Sequence, residues 1–454
     1  MSPFACLASV FVLLVLIGMP IAFAIAIASF AGFAMIDDPF GTLTPYALLT
    51  DMTGGVKQLA LIAIPFFILA GKIMGRGGLA QRLIGLSQSL IGQVRGGTGY
   101  VNVMASMFFG GVSGSAVADV SSIGSILIPV MDAEGYDRPF ATAVTVSSST
   151  IGLIIPPSNV MILYAIVAGG TAAAGGAYAH VDLDVRTMFL SGFLPGTMIG
   201  VSLMAACGVL ARLRGYPKGR WTGLGQVAGS FVRAIPALGI VAIILGGILF
   251  GFVTADESAA VAVVCALLVG LFVYRRIALR DVPEIIRESL VTTGVVMLLI
   301  AASNAMKFIF INEGIDRLLL DACLSLTSNR FVFLLVLNVV LLVFGTFLDM
   351  TPAVLIFTPL FLPVAVSYGV HPIHFGIILL VNLCIGLCTP PVGNCLFVGC
   401  GLSGVSLTRM VRPMLPFYAA MIAALLLVTY CEPITMWLPA QWEAWFARPA
   451  AGLP

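Results

Sequence analysis

The stretch Ile151-Gly-Leu-Ile-Ile-Pro-Pro-Ser-Asn159 interrupts an apolar helical run with two consecutive prolines, and polar side chains follow at once. A second stretch, Ile385-Gly-Leu-Cys-Thr-Pro-Pro-Val-Gly-Asn394, repeats Ile-Gly-Leu and Pro-Pro at the same internal spacing, 234 positions later. Proline removes a backbone donor and clashes with the preceding turn, so each pair predicts a helix break that leaves carbonyl oxygens without helical partners. Inside a bilayer those carbonyls need another ligand, which makes both breaks candidate binding sites.

Composition places these breaks inside a membrane. The chain has 454 residues, of which 60% are hydrophobic and 9% charged, and its mean hydropathy is +1.11. No water-soluble fold tolerates such a surface. The predicted fold class is therefore an all-α polytopic membrane protein surrounded by a lipid bilayer. The net charge of +2 is small and scattered, which argues against a nucleic-acid partner.

Nine apolar segments are long enough to cross a bilayer, which takes about 20 residues each. They lie at about 4–34, 50–74, 138–169, 187–212, 230–253, 256–275, 287–310, 372–400 and 413–437. The segments 138–169 and 372–400 hold the proline pairs and are predicted to be broken helices. Two further apolar regions, 97–131 and 331–365, carry small or polar residues near their middle and predict re-entrant helical hairpins.

The basic residues predict an orientation. With the nine crossings above, the short loops rich in Arg and Lys all fall on one face, which should be cytoplasmic, and the N terminus falls there too. The 234-residue offset also relates Pro129 to Pro363 and Gly135 to Gly369, which indicates two repeats. Four crossings in the first repeat and one linker crossing predict inverted repeats. The predicted domains are 1–212 (first repeat), 213–253 (cytoplasmic loop and linker crossing), 254–438 (second repeat) and 439–454 (tail).

The two predicted hairpin tips carry candidate ligands. The first tip contains Ser113, Ser115 and Asp119, and the second contains Asp349 and Thr351. Hydroxyl and carbonyl oxygens suit an alkali cation, and helix N-termini at breaks suit an anion. Both carboxylates lie at apparent membrane depth, which favours a functional role. For Asp119 a position near the membrane interface is the alternative.

A hydrolase interpretation is also open. Gly111-Val-Ser113-Gly114 fits the G-x-S-G pattern of rhomboid-type intramembrane serine proteases, whose serine needs a histidine base within hydrogen-bond reach. The candidate bases are His180, in an outer loop, and His371 and His374, which are expected at the outer rim. Ser113 is expected in a hairpin that enters from the inner side, which disfavours this alternative. The neighbouring Cys384, Cys388, Cys395 and Cys400 are expected to be packing residues.

The motifs together resemble a known family. Ser113-Gly-Ser-Ala-Val-Ala-Asp119, Ile154-Ile-Pro-Pro-Ser158 and Thr389-Pro-Pro-Val-Gly393 are similar to the large membrane subunit of TRAP (tripartite ATP-independent periplasmic) transporters. The resemblance runs from Gly18 to about Trp437. It implies an elevator-type, sodium-driven importer of a small organic anion such as a carboxylate, in the bacterial inner membrane. The implied partners are a small four-helix membrane subunit, expected on a separate chain, and a periplasmic binding protein. An elevator carrier without a binding protein is the alternative.

The resemblance further implies that sodium, the coupling ion, binds where each hairpin tip meets a broken helix. The implied first site comprises Ser113, Ser115, Gly152, Pro156 and Ser158, and the second comprises Gly345, Asp349, Gly386, Thr389 and Gly393. For the anion we expect contacts from polar side chains at the tips and breaks, namely Ser113, Ser115, Asn159, Thr351 and Asn394.

Overall fold

The computed structural model describes residues 2–36, 44–172, 183–219 and 223–446. Within these ranges every extended element is a helix, and the β pairing is limited to an isolated bridge between Arg95 and Lys218. Apolar runs form helices because a bilayer offers backbone groups no partner outside their own turns. Seven of the described helices are long and apolar enough to cross a membrane on their own, and two bent helix pairs pass the same test of length and composition; Pro3–Leu16 and Ile21–Phe33 are among the shorter apolar helices that this test leaves out. The predicted all-α membrane class is confirmed.

Ten α-helices are described between residues 2 and 219. They are α1 (Pro3–Leu16), α2 (Ile21–Phe33), α3 (Pro45–Val56), α4 (Ala63–Arg76), α5 (Leu79–Ile91), α6 (Gly97–Ser113), α7 (Ala116–Ala133), α8 (Arg138–Ser149), α9 (Asn159–Ala172) and α10 (Val185–Leu213). The hydroxyls of Ser2 and Thr44 cap α1 and α3, and a proline follows each cap at the first helical position. A 3-10 turn, Thr150–Leu153, extends α8 toward the first break.

Ten more are described between residues 223 and 446. They are α11 (Leu224–Leu249), α12 (Ala255–Leu268), α13 (Val282–Asn312), α14 (Ile315–Leu326), α15 (Arg330–Gly345), α16 (Met350–Ser367), α17 (Pro372–Leu387), α18 (Asn394–Ser403), α19 (Leu407–Tyr430) and α20 (Pro433–Phe446). Thr254 and Glu257 form a capping box at the start of α12. A π-helical segment, Val269–Val273, continues α12.

The order of elements recurs in the two halves. Each half has two short-connected helices (α1–α2, α11–α12), a spanning element (α3–α4, α13), a short helix (α5, α14), a hairpin (α6–α7, α15–α16), a broken helix (α8–α9, α17–α18) and a closing helix (α10, α19). The chain bends by 66° between α4 and α5 and by 117° between α14 and α15. The first two predicted domain boundaries fall at the end of α10 and in the turn before α12, whereas the third, between residues 438 and 439, falls inside α20. Helix order alone does not fix relative orientation, so the inversion stays a prediction.

The predicted first crossing at 4–34 is wrong, because this stretch forms two antiparallel helices. The thiol of Cys6 donates to the carbonyl oxygen of Ala31 at 3.7 Å. A Cβ added at Gly32 would lie 3.1 Å from the carbonyl oxygen of Pro3. Gly18, with φ of +86°, and Pro20 turn the chain between α1 and α2. The start of α1 and the end of α2 therefore lie on the same side.

The prediction that the N terminus shares the face of the basic loops is wrong in consequence. The ring of Phe4 lies against that of Phe310, with 6.0 Å between centroids. Arg76, in the first basic cluster, pairs with Glu288 near the other end of the same helix, α13. About six helical turns, or roughly 33 Å, separate these two positions along α13. The N terminus therefore lies at the face opposite to Arg76.

Cysteine labelling tests this arrangement. In a background with the exposed Cys431 replaced by serine, we expect Ser2→Cys to react with a membrane-impermeant maleimide in intact spheroplasts. Lys218→Cys, in the loop after α10, should react only after permeabilisation, because positively charged loops remain in the cytoplasm. Labelling of Lys218→Cys but not Ser2→Cys in intact spheroplasts would contradict the orientation.

His374, expected at the outer rim, lies in the first turn of α17. This side chain is fully buried. Its Nδ1 lies 2.8 Å from the hydroxyl of Thr435, and its Nε2 lies 3.2 Å from the carbonyl oxygen of Thr429. His374 thus joins α17 to the end of α19 and the start of α20. His371 caps α17, where its Nδ1 accepts a hydrogen bond from the amide of Ile373 at 3.3 Å. His180 lies outside the described residues.

Candidate functional site

The first hairpin reverses at Gly114 and Ser115, the two residues between the end of α6 at Ser113 and the start of α7. Gly114 has φ of +59°, in the left-handed region where glycine is unstrained. The hydroxyl of Ser113 accepts from the amide of Ser115 at 3.4 Å, and the hydroxyl of Ser115 caps α7 by accepting from the amide of Ala118 at 3.4 Å. The tip therefore presents two serine side chains together with the positive dipole end of α7.

This tip touches the first broken helix at backbone level. A Cβ added at Gly110 would lie 2.1 Å from the Cα of Gly152, and one at Gly111 would lie 2.9 Å from the carbonyl oxygen of Pro156. The hydroxyl of Ser158 donates to the carbonyl oxygen of Leu153 at 2.7 Å, across the break. The structure thus brings Gly152 and Pro156 against the end of α6. The Ser158 hydroxyl is already used by a hydrogen bond inside the break.

The second hairpin meets the second break in the same manner. A Cβ added at Gly386 would lie 2.4 Å from the carbonyl carbon of Gly345. The amide of Gly393 donates to the carbonyl oxygen of Thr346 at 3.2 Å. The hydroxyl of Thr389 donates back to the carbonyl oxygen of Ile385 at 2.7 Å. Three residues of the implied second sodium site, Gly345, Gly386 and Gly393, therefore come together at this contact.

Asp349 connects the second tip to α18. It is the residue before α16, and its Oδ1 accepts a hydrogen bond from the side-chain amide of Asn394 at 3.0 Å. Asn394 is the first residue of α18. Hydrogen bonding leaves the second carboxylate oxygen and a further lone pair of Oδ1 available to a cation. The carboxylate is thus fixed where a hairpin tip and a broken helix meet.

A cavity of about 260 Å³ lies where both hairpin tips and both broken helices converge. Three helices begin at its wall: α7 near Ser115, α9 at Asn159 and α16 near Thr351. Each N-terminus carries a partial positive charge of about +0.5, so the cavity favours an anion. Three of the five residues expected to contact the substrate line it, namely Ser115, Asn159 and Thr351. Ser113 and Asn394 lie behind this wall.

The opposite wall of the cavity was not predicted from the sequence. It is formed by α4, through Ile64 and Ile68, and by α13, through Val295 and Leu299. The one hydroxyl that α13 contributes, Thr292, donates to the carbonyl oxygen of Glu288 at 3.0 Å within its own helix. These apolar residues carry no chemical signature, and only the fold brings them opposite the tips.

The two broken helices also contact each other at their centres. The thiol of Cys384 donates to the carbonyl oxygen of Thr150 at 3.3 Å, and the thiol of Cys388 to that of Val146 at 3.5 Å. Within the described ranges, no group of three His, Cys, Asp or Glu side chains has metal-binding proximity. The thiols of Cys384 and Cys388 therefore take a packing role between the two broken helices.

Asp119 is 1% exposed and is enclosed by surrounding helices, while its depth relative to the membrane interface stays a prediction. It lies on α7 beside Ser106 of α6. Neither carboxylate oxygen has a hydrogen-bond partner within normal geometry among the described residues. A buried carboxylate in this condition needs a proton or a cation to be tolerated, which keeps a functional role for Asp119 open to test.

Two hairpins that meet two broken helices around one anion-favouring cavity define a membrane transporter of all-helical build. The family model described as "Tripartite ATP-independent periplasmic transporter, DctM component" matches residues 7–434. The chain belongs to this family and is the large permease subunit of a multi-pass transporter of the bacterial inner membrane. Members are permeases and not enzymes, which excludes the protease interpretation of Ser113.

The sequence is similar to those of several known proteins along nearly its whole length. An uncharacterised Salmonella typhimurium protein, YgiK, is 39% identical over 94% of this chain and 95% of its own length. The C4-dicarboxylate TRAP transporter large permease protein DctM of Rhodobacter capsulatus is 34% identical over 94% and 96%. The sialic acid TRAP transporter large permease protein SiaM of Vibrio cholerae is 32% identical over 93% and 95%.

The fold is also similar to a solved transporter structure. The Alcanivorax borkumensis YdaH transporter superimposes with a TM-score of 0.65, covering 93% of this chain and 97% of that one. Sequence identity in this alignment is 13%, so the likeness supports the fold alone.

Proposed function

We propose that this permease imports a small organic anion, a carboxylate, together with sodium ions, after a periplasmic protein has delivered the anion. The observation that carries the proposal is the cavity at which α7, α9 and α16 all begin. Three helix N-termini supply positive potential without a fixed cation, which suits an anion that must be bound and then released. Relatives named for C4-dicarboxylate and sialic acid transport support a carboxylate.

The presence of Asp349 in the same cavity supports the sodium requirement. Its carboxylate faces the space proposed for the anion, and two like charges at close range repel strongly in a low dielectric. A sodium ion between Asp349 and the carbonyl oxygens of the tip–break contact removes this repulsion. Sodium binding therefore precedes or accompanies anion binding, which is the thermodynamic basis of coupling.

The first tip–break contact supports a second sodium site. The contact offers uncharged oxygen ligands, which suit sodium: the hydroxyls of Ser113 and Ser115 and the backbone carbonyls near Gly152 and Pro156. Moving one elementary charge against the membrane potential costs about 2.3 kcal/mol per 100 mV. Two sodium ions cancel the charge of a dicarboxylate, and a third makes its uptake electrogenic. For a monocarboxylate two sodium ions suffice.

The repeated element order supports an elevator mechanism with inverted halves. If α1–α2 and α11–α12 both cross the membrane twice, each half contains five crossings besides its hairpin. An odd number turns the second half over relative to the first. The hairpins and broken helices then form a moving domain, and α4 and α13 belong to the scaffold. The apolar wall from α4 and α13 lets the moving domain slide without breaking polar contacts.

Reconstituted uptake tests the proposal. Proteoliposomes containing this chain and its small membrane subunit should accumulate radiolabelled succinate or sialic acid only with an inward sodium gradient and a matching binding protein. Uptake without any binding protein would favour the alternative carrier mechanism and contradict the tripartite one. Equal uptake in sodium and potassium gradients would contradict sodium coupling.

Substitution of the cavity side chains should weaken anion binding. We expect Asn159→Ala and Thr351→Val each to raise the apparent KM for the anion about tenfold, because a hydrogen bond to a charged group contributes about 1.5–3 kcal/mol. Ser121→Ala, in which the lost hydroxyl donates only to the carbonyl oxygen of Val117 on the outer side of α7, is the matched control. An unchanged KM in both cavity variants would remove them from the anion site.

A further inference from the structure

A second and larger cavity, about 600 Å³, lies between α5, α11 and the π-helical end of α12. Its lining includes Gln81 and Arg82 of α5, Ser230 and Arg233 of α11, and Tyr274 after the π segment. It shares no lining residue with the transport cavity. Arg82 follows Arg76 by six residues and Tyr274 directly precedes Arg275 and Arg276, and a Cβ added at Gly78 would lie 2.9 Å from the Cγ of Arg276. The cavity therefore lies at the face of the basic loops.

Tyr274 holds both arginine-bearing segments in place. The guanidinium of Arg82 lies over its ring, 5.0 Å from the centroid, which is a cation–π contact. Its hydroxyl donates to the carbonyl oxygen of Arg233 at 2.9 Å. Tyr274 therefore fixes the positions of the two arginine-bearing helices on either side of the cavity.

The cavity is positively charged and lacks internal compensation. Its lining contains two arginines and no Asp or Glu. In the part of the chain that the structure describes, the recorded ion pairs use other cations, so neither Arg82 nor Arg233 is neutralised by a carboxylate. Two guanidinium groups around one cavity match a phosphate, which accepts several charge-assisted hydrogen bonds.

Exposed apolar side chains lie in the cavity lining and beside it. Val232 is 63% exposed, Phe272 is 68% exposed and Val273 is 57% exposed, and the first and last of these line the cavity itself. A polar, positive cavity bordered by exposed apolar side chains matches an amphiphile with an anionic head and hydrocarbon chains. A free phosphate ion would use the arginines and leave this apolar border unused.

We propose that this cavity binds the head group of an anionic phospholipid from the inner leaflet. The phosphodiester lies between Arg82 and Arg233, and the acyl chains run along Val232 and Phe272. Basic cavities between membrane helices at the cytoplasmic side commonly bind such head groups. The bound lipid ties α5, which leads into the first hairpin, to α11 of the second half.

Native mass spectrometry of the detergent-purified permease complex, titrated with phosphatidylglycerol or phosphatidylcholine, tests the site. Each arginine near an anionic head group contributes about fivefold in affinity, so Arg82→Gln/Arg233→Gln should bind phosphatidylglycerol about 25-fold more weakly. Arg280→Gln, at a side chain that is 89% exposed on the same face, should change affinity by less than about twofold. Equal phosphatidylglycerol binding by wild type and double variant, or no preference over phosphatidylcholine, would overturn the proposal.

Three further measurements make the test decisive. Arg233→Gln alone leaves the cation–π contact of Arg82 and the backbone bond to Tyr274 intact, so it should fold normally and still lose about fivefold. The melting temperature in phosphatidylcholine reports folding for every variant.

Inorganic phosphate at millimolar concentration should displace little phosphatidylglycerol. Full displacement by phosphate would mean that the site binds the bare anion, and it would overturn the lipid assignment.

Discussion

Gly152→Ala should abolish uptake, whereas Gly169→Ala in the following helix should leave it within about twofold of wild type. The new Cβ at residue 152 would lie 2.2 Å from the Cα of Gly110, which is a clash between two backbones. The backbones of α6 and the first break must then separate, and this moves the hairpin tip away from the break. A Cβ at Gly169 meets nothing within 4 Å. Overpacking of this kind costs about 1–3 kcal/mol or more. Ligands displaced by about 1 Å no longer form a cation site, so we expect at least a 100-fold loss.

The second half offers the same comparison. Gly386→Ala places its Cβ 2.4 Å from the carbonyl carbon of Gly345, while Gly401 in α18 has nothing within 4 Å of its Cβ position. Sodium-driven uptake of all four variants is the measurement, and their melting temperatures show which have folded. A folded Gly152→Ala or Gly386→Ala variant with wild-type uptake would contradict a transport role for the tip–break contacts.

Asp349→Asn should remove the sodium activation of uptake. The substitution is isosteric, and the remaining carbonyl oxygen still accepts the hydrogen bond from Asn394, so the second tip keeps its geometry. What is lost is the single full negative charge that the two implied sodium sites contain. We expect uptake at millimolar sodium to fall about 100-fold, because loss of even a supporting outer-shell group costs a metal site about 10–100-fold in affinity or activity.

Asp321→Asn, at an exposed carboxylate on α14, is the matched control and should behave as wild type. The sodium concentration that gives half-maximal uptake is the quantity to compare among the three proteins. If Asp349→Asn retains the wild-type sodium dependence, Asp349 is not a sodium ligand and its repulsion of the anion does not explain coupling.

The breaks and hairpin tips were predictable because their causes are local. Two adjacent prolines cannot continue a helix, and Gly114 supplies the left-handed backbone conformation at which the first hairpin reverses. The backbone contacts of Gly110 with Gly152 and of Gly345 with Gly386 involve corresponding glycines, because Gly152 and Gly386 are 234 positions apart and Gly110 and Gly345 are 235 apart.

Other features were not predictable because they depend on how segments distant in the sequence pack together and bury one another's side chains. The stretch at 4–34 is apolar throughout, and only the structure shows that Gly18 and Pro20 divide it. The burial of Asp119 and His374 follows from helices that pack over them and not from their place along a predicted span. The apolar wall from α4 and α13 has no sequence signature at all.

Sodium-dependent hydrogen–deuterium exchange at the hairpin tips tests the central claim most directly, because it needs no knowledge of the anion. In the purified permease complex, sodium should slow amide exchange in peptides covering residues 113–119 and 345–351, relative to potassium at equal ionic strength. Asp349→Asn should lose the effect at the second tip and keep it at the first. Exchange at both tips that is the same in sodium and in potassium would contradict sodium binding at the two tip–break contacts.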